Sequence, residues 1–236
     1  MMKHVLFDLD GTLLPMDQDV FVGYYFPLLA KRLKPYGFDQ DTVIQAVWTG
    51  VKAMVINDGS ISNEEAFWNC FEQLVKIERQ ELEPLILDFY ANEFNEAIRS
   101  TDPSPLSAKI VQAFKERGDK VYLATNPIFP RCATMNRIRW AGLNAEDFEL
   151  ITTYENCRYS KPNVLYYQDI LEEFHLEPED CLMIGNDAEE DLAIRKLGVK
   201  TYLVTDCLEN KKGLPLESEY KGSLEELYEY VKSSRL

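Results

Sequence analysis

The chain has 236 residues with 25 Lys+Arg against 40 Asp+Glu, a formal net charge of −15. That balance argues against a nucleic-acid groove or an anionic membrane surface as partner, since both need clustered positive charge. With 46% hydrophobic and 28% charged residues the composition is that of a globular protein, and the length allows one large domain or one domain plus an insertion.

In chain order, His4–Phe7 is expected to be a buried strand, because it is a short apolar run ended by Asp8. From Met16 to Arg99 nothing reads as a strand, and about four helices are expected. Val20, Phe21, Tyr24, Leu28 and Leu29 mark one apolar face there, and Phe67, Phe71, Leu74 and Val75 another; both read as core packing. Ser62-Asn63-Glu64-Glu65 has the form of a capping box. The turn Asn57-Asp58-Gly59-Ser60 has two readings, an ordinary exposed turn and an edge of the helical block that reaches a site elsewhere.

Beyond Arg99, Ser104–Arg117 is expected to be a helix and Lys120–Ala124 a strand. Then come a helix over Arg131–Trp140 stopped by Gly142, a strand over Phe148–Thr152 and a helix over Asn163–Phe174. A strand over Cys181–Ile184, a helix over Glu189–Leu197 ended by Gly198, a strand over Lys200–Val204 and a last amphipathic helix over Ser223–Lys232 complete the series. Alternating strand and helix predicts an α/β fold, a doubly wound parallel sheet whose ligands sit at the carboxyl ends of its strands. The helical block interrupts that pattern just after the first strand, so it is read as an insertion: residues 1–15 and 101–236 form the core and 16–100 an all-helical cap. Pro15, Pro103 and Pro105 interrupt regular structure at the two crossings, and hinges are expected near Leu14–Asp17 and Thr101–Pro105.

No apolar run approaches the roughly 18 residues of a membrane span, and Met1-Met2-Lys3 leads straight into the first strand, so neither a signal peptide nor an anchor is expected. Cys70, Cys132, Cys157, Cys181 and Cys207 form no C-x-x-C pair, and reduced thiols in a cytoplasm are the expectation. With only His4 and His175 there is little material for a histidine-based site, so the chemistry should come from carboxylates. Strand one ends in Asp8-Leu9-Asp10-Gly11-Thr12, and residues 8 and 10 of an extended chain project from one face, which holds two carboxylates close together where they attract a cation.

These residues resemble the haloacid dehalogenase (HAD) superfamily of aspartate-nucleophile phosphohydrolases. Its first motif, D-x-D-x-T/V, is matched by Asp8, Asp10 and Thr12; its second, a strand-end Thr or Ser, by Thr125 in Leu123-Ala124-Thr125-Asn126. The third, a Lys at the start of a helix, is matched by Lys161 in Ser160-Lys161-Pro162, and the fourth, an acidic pair, by Asp187 and Asp191. One departure is Asn186 where the family has Gly, which touches the local turn geometry and leaves the carboxylates intact. The inserted helices resemble the family's C1 cap, which closes over the active site.

The resemblance implies a Mg²⁺-dependent phosphatase of small phosphorylated metabolites. Asp8 would be the nucleophile and Asp10 the general acid and then base. Asp8, Asp187 and the backbone carbonyl of Asp10 offer the hard oxygen ligands that suit Mg²⁺. Lys161 would add a point charge, while the Thr125 hydroxyl and the Asn126 backbone N–H donate to phosphate oxygens. Asp191 would orient Lys161 or a metal-bound water, or serve only as a helix N-terminal carboxylate.

A Rossmann dehydrogenase and a P-loop enzyme are excluded by the missing glycine fingerprints. Within the family, Asp10 speaks against dehalogenation, and a phosphonate hydrolase would need a cap lysine, for which Lys31, Lys34 and Lys52 read better as solvated charges. A phosphomutase shares all four motifs and stays open, as does an inactive binding protein of the same fold. Neither the leaving group nor the oligomeric state is legible.

Overall fold

The computed structural model describes residues 3–233. Five strands, β1 (His4–Phe7), β2 (Lys120–Leu123), β3 (Cys181–Gly185), β4 (Lys200–Val204) and β5 (Tyr220–Gly222), form one parallel sheet in the order β2-β1-β3-β4-β5. Val5, Leu6 and Phe7, like Leu182, Met183 and Ile184, are buried, as the apolar runs of a sheet covered on both faces must be. Phe7 stands opposite Leu123 of β2 and Ile184 of β3. Asp8 therefore leaves the sheet beside Ala124 and Gly185, at the centre of the carboxyl edge.

The helices are α1 (Gln18–Leu33), α2 (Gln40–Val55), α3 (Asn63–Val75), α4 (Arg79–Ala91), α5 (Pro105–Glu116), α6 (Arg131–Trp140), α7 (Val164–Glu173) and α8 (Leu224–Lys232). Side chains cap most of their starts: Asp17 accepts from the Val20 N–H at 2.9 Å and Asp39 from Thr42 at 2.8 Å, each such cap worth about 1 kcal/mol. Ser62 and Glu65 form the expected capping box on α3. Between β1 and β2 the described chain is helical, and its two crossings are tied together: Met16 bridges Thr101, and the Asp102 N–H donates to the Pro15 carbonyl at 2.8 Å.

Three expectations need correction. Phe148–Thr152 is not a strand of the sheet. It runs outside β2 with three backbone hydrogen bonds (Glu149 to Val121, Leu123 to Leu150, Thr152 to Leu123), but only Ile151 forms a bridge. The fifth strand is Tyr220–Gly222 instead, whose Tyr-Lys-Gly carries no apolar run and is set by its register on β4, Tyr220 opposite Tyr202. The helix expected over Glu189–Leu197 is a 3-10 helix over Asp191–Leu197, preceded by a turn in which the Asp187 carboxylate accepts from the Glu189 and Glu190 N–H groups. In α1 the buried face is Phe21, Tyr25, Phe26 and Leu29, whereas Val20 and Tyr24 are exposed; in α3, Trp68 is buried and Leu74 exposed.

One apolar core lies on one face of the sheet (Phe7, Leu123, Ile184, Phe114) and continues without a break through Leu13 and Leu14 into Phe21, Tyr25, Phe71 and Phe94 of the helical segment. The other face packs Leu6, Tyr122 and Met183 against Tyr166, Tyr167 and Ile194.

Candidate active site

Asp8 is nearly buried at the strand end, and its Oδ1 accepts from the Lys161 Nζ at 2.8 Å. The same ammonium donates to Asp191 Oδ1 at 2.6 Å. Burial works against the charge on Lys161, but the Asp191 and Asp8 carboxylates outweigh it and hold the ammonium well above its ordinary pKa. Burial pushes Asp8 up against the pull of Lys161, and pushes Asp191 up to about 6. The other Asp191 oxygen accepts from the Asp187 N–H at 2.9 Å, so one carboxylate orients both the lysine and the following turn. Gly185 is required here, since a Cβ at that position would lie 2.1 Å from Asp191 Oδ2.

Asp187 Oδ1 accepts from the Glu189 and Glu190 N–H groups at 2.7 and 2.8 Å, and burial raises its pKa in spite of them. Asn126 spans the gap between the second and fourth motifs: its Nδ2 donates to Glu190 Oε1 at 2.9 Å and its Oδ1 accepts from the Lys161 backbone N–H at 3.3 Å. Thr125 is buried, and its carbonyl is fixed by the Tyr166 hydroxyl at 2.9 Å and the Thr152 hydroxyl at 2.7 Å. Glu190, absent from the expected site, is pushed up to about 8 by burial, with Lys161 opposing. Its place between two motif carboxylates was the signal available in the sequence.

Asp10 has a partner that the sequence reading did not include: its Oδ2 is paired with the guanidinium of Arg137, from α6. Its Oδ1 is buried without a partner. Burial raises the Asp10 pKa, and the Arg137 and Lys161 charges oppose that rise. Arg137 is itself fully buried, lies 4.3 Å from the Phe129 ring centroid and donates to Thr134 Oγ1 at 3.2 Å. The signal was a cation in phase with buried Ala133 and Trp140 on α6.

The Asn186 departure has a structural role. Its Oδ1 accepts from Thr12 Oγ1 at 2.8 Å and its Nδ2 donates to the Cys207 carbonyl at 2.7 Å, tying the first motif's loop to the exit of β4. Gly11, at φ +82°, makes room for it, because a Cβ there would lie 2.3 Å from Asn186 Nδ2. From the helical segment, Gly59 packs against the Tyr159 ring, so the turn at residues 57–60 touches the loop that carries Lys161. Asn63, fully buried, donates to the carbonyls of Pro127 and Tyr159 at 3.3 and 3.1 Å and to Ser160 Oγ at 3.1 Å.

Among the described residues no three His, Cys, Asp or Glu side chains are gathered closely enough to hold a metal ion by themselves. The expected donors, two carboxylates and a backbone carbonyl, do fit a hard cation. Asp8 and Asp191 both meet the Lys161 ammonium, and Asp187 stands one turn before Asp191 with its N–H bonded to it, so hard oxygen donors of the kind a divalent cation takes are grouped at this edge.

A family model for haloacid dehalogenase-like hydrolases matches residues 2–198. The chain belongs to that family. This HAD-like hydrolase is 25% identical over 215 residues to a phosphoglycolate phosphatase of Aquifex aeolicus, covering 86% of this chain and 84% of that one. Its fold is similar to that of a HAD phosphatase from Thermococcus onnurineus, with TM-score 0.63, 18% identity and 100% of both chains covered. It is also similar to that of the HAD-hydrolase YfnB from Bacillus subtilis bound to magnesium, with TM-score 0.60, 20% identity and 98% and 99% covered. Among the described residues no helix of this hydrolase is long and apolar enough to cross a membrane.

Proposed function

We propose that this HAD-like hydrolase is a Mg²⁺-dependent phosphatase of small phosphorylated metabolites that works through an aspartyl phosphate on Asp8. The observation that carries the reading is the chain Asp8, Lys161, Asp191 at the carboxyl edge of the sheet, linked at 2.8 and 2.6 Å. The similarity to a phosphoglycolate phosphatase supports it.

Asp8 attacks phosphorus, which requires a negative carboxylate to approach a dianion. Lys161 offsets that repulsion from one side, held charged by Asp191. A Mg²⁺ ion held by Asp8, Asp187 and the Asp10 carbonyl would supply further neutralisation of the phosphoryl oxygens. The Thr125 hydroxyl and the Asn126 N–H stand on the loop after β2, where they donate to charge that develops in the transition state. Asp10, by its unpartnered Oδ1, protonates the leaving oxygen and then takes a proton from the water that opens the aspartyl phosphate.

In this reading residues 16–100 are a cap on a core of 1–15 and 101–236, moving about the paired crossings at 14–17 and 101–105. A cytoplasmic setting belongs to the same proposal, supported by five free cysteines. Release of phosphate from acetyl phosphate and p-nitrophenyl phosphate with Mg²⁺, abolished by EDTA, tests the proposal. No release from a broad panel of phosphate esters would overturn it, and dependence on a sugar bisphosphate with little net release would make the protein a mutase.

A further inference from the structure

Between the helical segment and the carboxyl-end loops of the sheet lies a cavity of about 120 Å³. Its walls are mostly aromatic: Phe21 and Tyr25 from α1, Trp48 from α2, Trp68 from α3, and Phe129 and Tyr154 from the loops beyond β2 and its outer neighbour. Tyr25, Trp68 and Tyr154 are buried and Trp48 is half exposed. None of the lining residues is Lys, Arg, His, Asp or Glu.

Two routes join this space to the reacting centre. Along the chain, Phe129 stands four residues beyond Thr125, on the same loop. Through space, Asp10 pairs with Arg137, whose guanidinium lies against the Phe129 ring. In the function proposed above, Asp10 protonates the leaving oxygen, so the departing group must lie on the Asp10 side. The cavity reaches toward that side through Phe129, which lines it and carries the Arg137 guanidinium on its ring.

From this we infer that the cavity is the leaving-group site, and that the substrate is the phosphate monoester of an uncharged alcohol or phenol carrying one ring or a branched chain of similar bulk. The inference rests on the phosphatase reading for the reaction, and on the cavity alone for the choice of group. The size agrees: an apolar cavity of roughly 150 Å³ takes up benzene. The chemistry agrees as well, because a carboxylate in the leaving group would be desolvated there with no cation to meet it. A primary ammonium would likewise be desolvated there with no carboxylate among the lining residues to meet it.

Trp48 and Trp68 line the cavity, so occupancy is read as a change in tryptophan fluorescence. Four phosphonates with Mg²⁺ present, none of them hydrolysable, are compared: benzyl, methyl, carboxymethyl and 2-(trimethylammonio)ethyl. Benzylphosphonate is expected to bind at least about tenfold more tightly than methylphosphonate, and Val51→Phe, which fills the cavity from α2, to reduce that ratio to near one. Ile86→Phe fills it from α4 should the first variant fail to fold. Equal binding of benzyl- and methylphosphonate, a ratio unchanged in the filled variant, or preference for either charged probe overturns the inference. Because binding is read without turnover, a protein that selects benzylphosphonate but hydrolyses no ester would sink the phosphatase reading alone. One that hydrolyses acetyl phosphate without that selectivity would sink the cavity inference alone.

Discussion

The guanidinium of Arg137 closes on the carboxylate of Asp10 by one oxygen only, leaving Oδ1 buried and unengaged. An arginine fork can take both oxygens of a carboxylate; here it holds one and leaves the other without a partner. In the function proposed above, Arg137 would position Asp10, which it touches through one oxygen.

Removing Arg137 leaves Asp10 without its ion-pair partner, and breaking a buried pair costs about 3–5 kcal/mol. Arg137→Met is expected to lose stability on that scale in urea denaturation, and the double variant with Asp10→Asn to regain much of it. Additive losses in the two single variants would argue against a coupled pair.

Asp8→Asn should abolish phosphate release, because the amide is no nucleophile, while the fold survives. Turnover within tenfold of the unaltered protein, at unchanged far-UV circular dichroism, would remove the assignment.

For Asp10→Asn the expected loss is at least about a hundredfold in steady-state turnover of an alkyl phosphate, the usual worth of acid–base catalysis. The loss should be milder for acetyl phosphate, whose leaving group needs little protonation. Equal losses on both substrates would point to a metal-binding or structural role.

Gly185→Ala drives a methyl group into the Asp191 carboxylate, which then releases both the Lys161 ammonium and the Asp187 N–H. Turnover is expected to fall by roughly 10–100-fold, the range seen when outer partners of a site are lost, with substrate binding by the cavity little affected. Full activity would show that Asp191 does not orient Lys161.

Asn63→Ala removes a buried amide that donates to the Pro127 and Tyr159 carbonyls and Ser160 Oγ and accepts from Asn57 Nδ2, and so joins the helical segment to the loop after β2 and to the Lys161 loop. A loss of about 1–3 kcal/mol is expected in thermal or urea unfolding. An unchanged midpoint would mean that the contact contributes nothing to holding the helices on the sheet.

Much of the parallel sheet was legible because buried strands such as Val5-Leu6-Phe7 are apolar on both faces, and the start of α3 because Ser62 and Glu65 satisfy local backbone groups. Asp8 and Asp10 were legible as a carboxylate pair at a strand end, whereas Thr125, Lys161, Asp187 and Asp191 became candidates only through the resemblance of their order to the family's motifs. Strand β5 was not, since Tyr-Lys-Gly becomes a strand only by pairing with β4. Nor was the rotation of α1 that buries Tyr25 and Phe26 and exposes Val20 and Tyr24, because the inward face depends on what the helix packs against. The pairing of Arg137 with Asp10, 127 positions apart, and the cavity walled by four helices and two loops lie further still from local pattern. Strand character, caps and motif order come from interactions within a few residues; partner choice, burial of charge and the shape of the cavity are set by contacts between distant segments, and only the packed chain decides them.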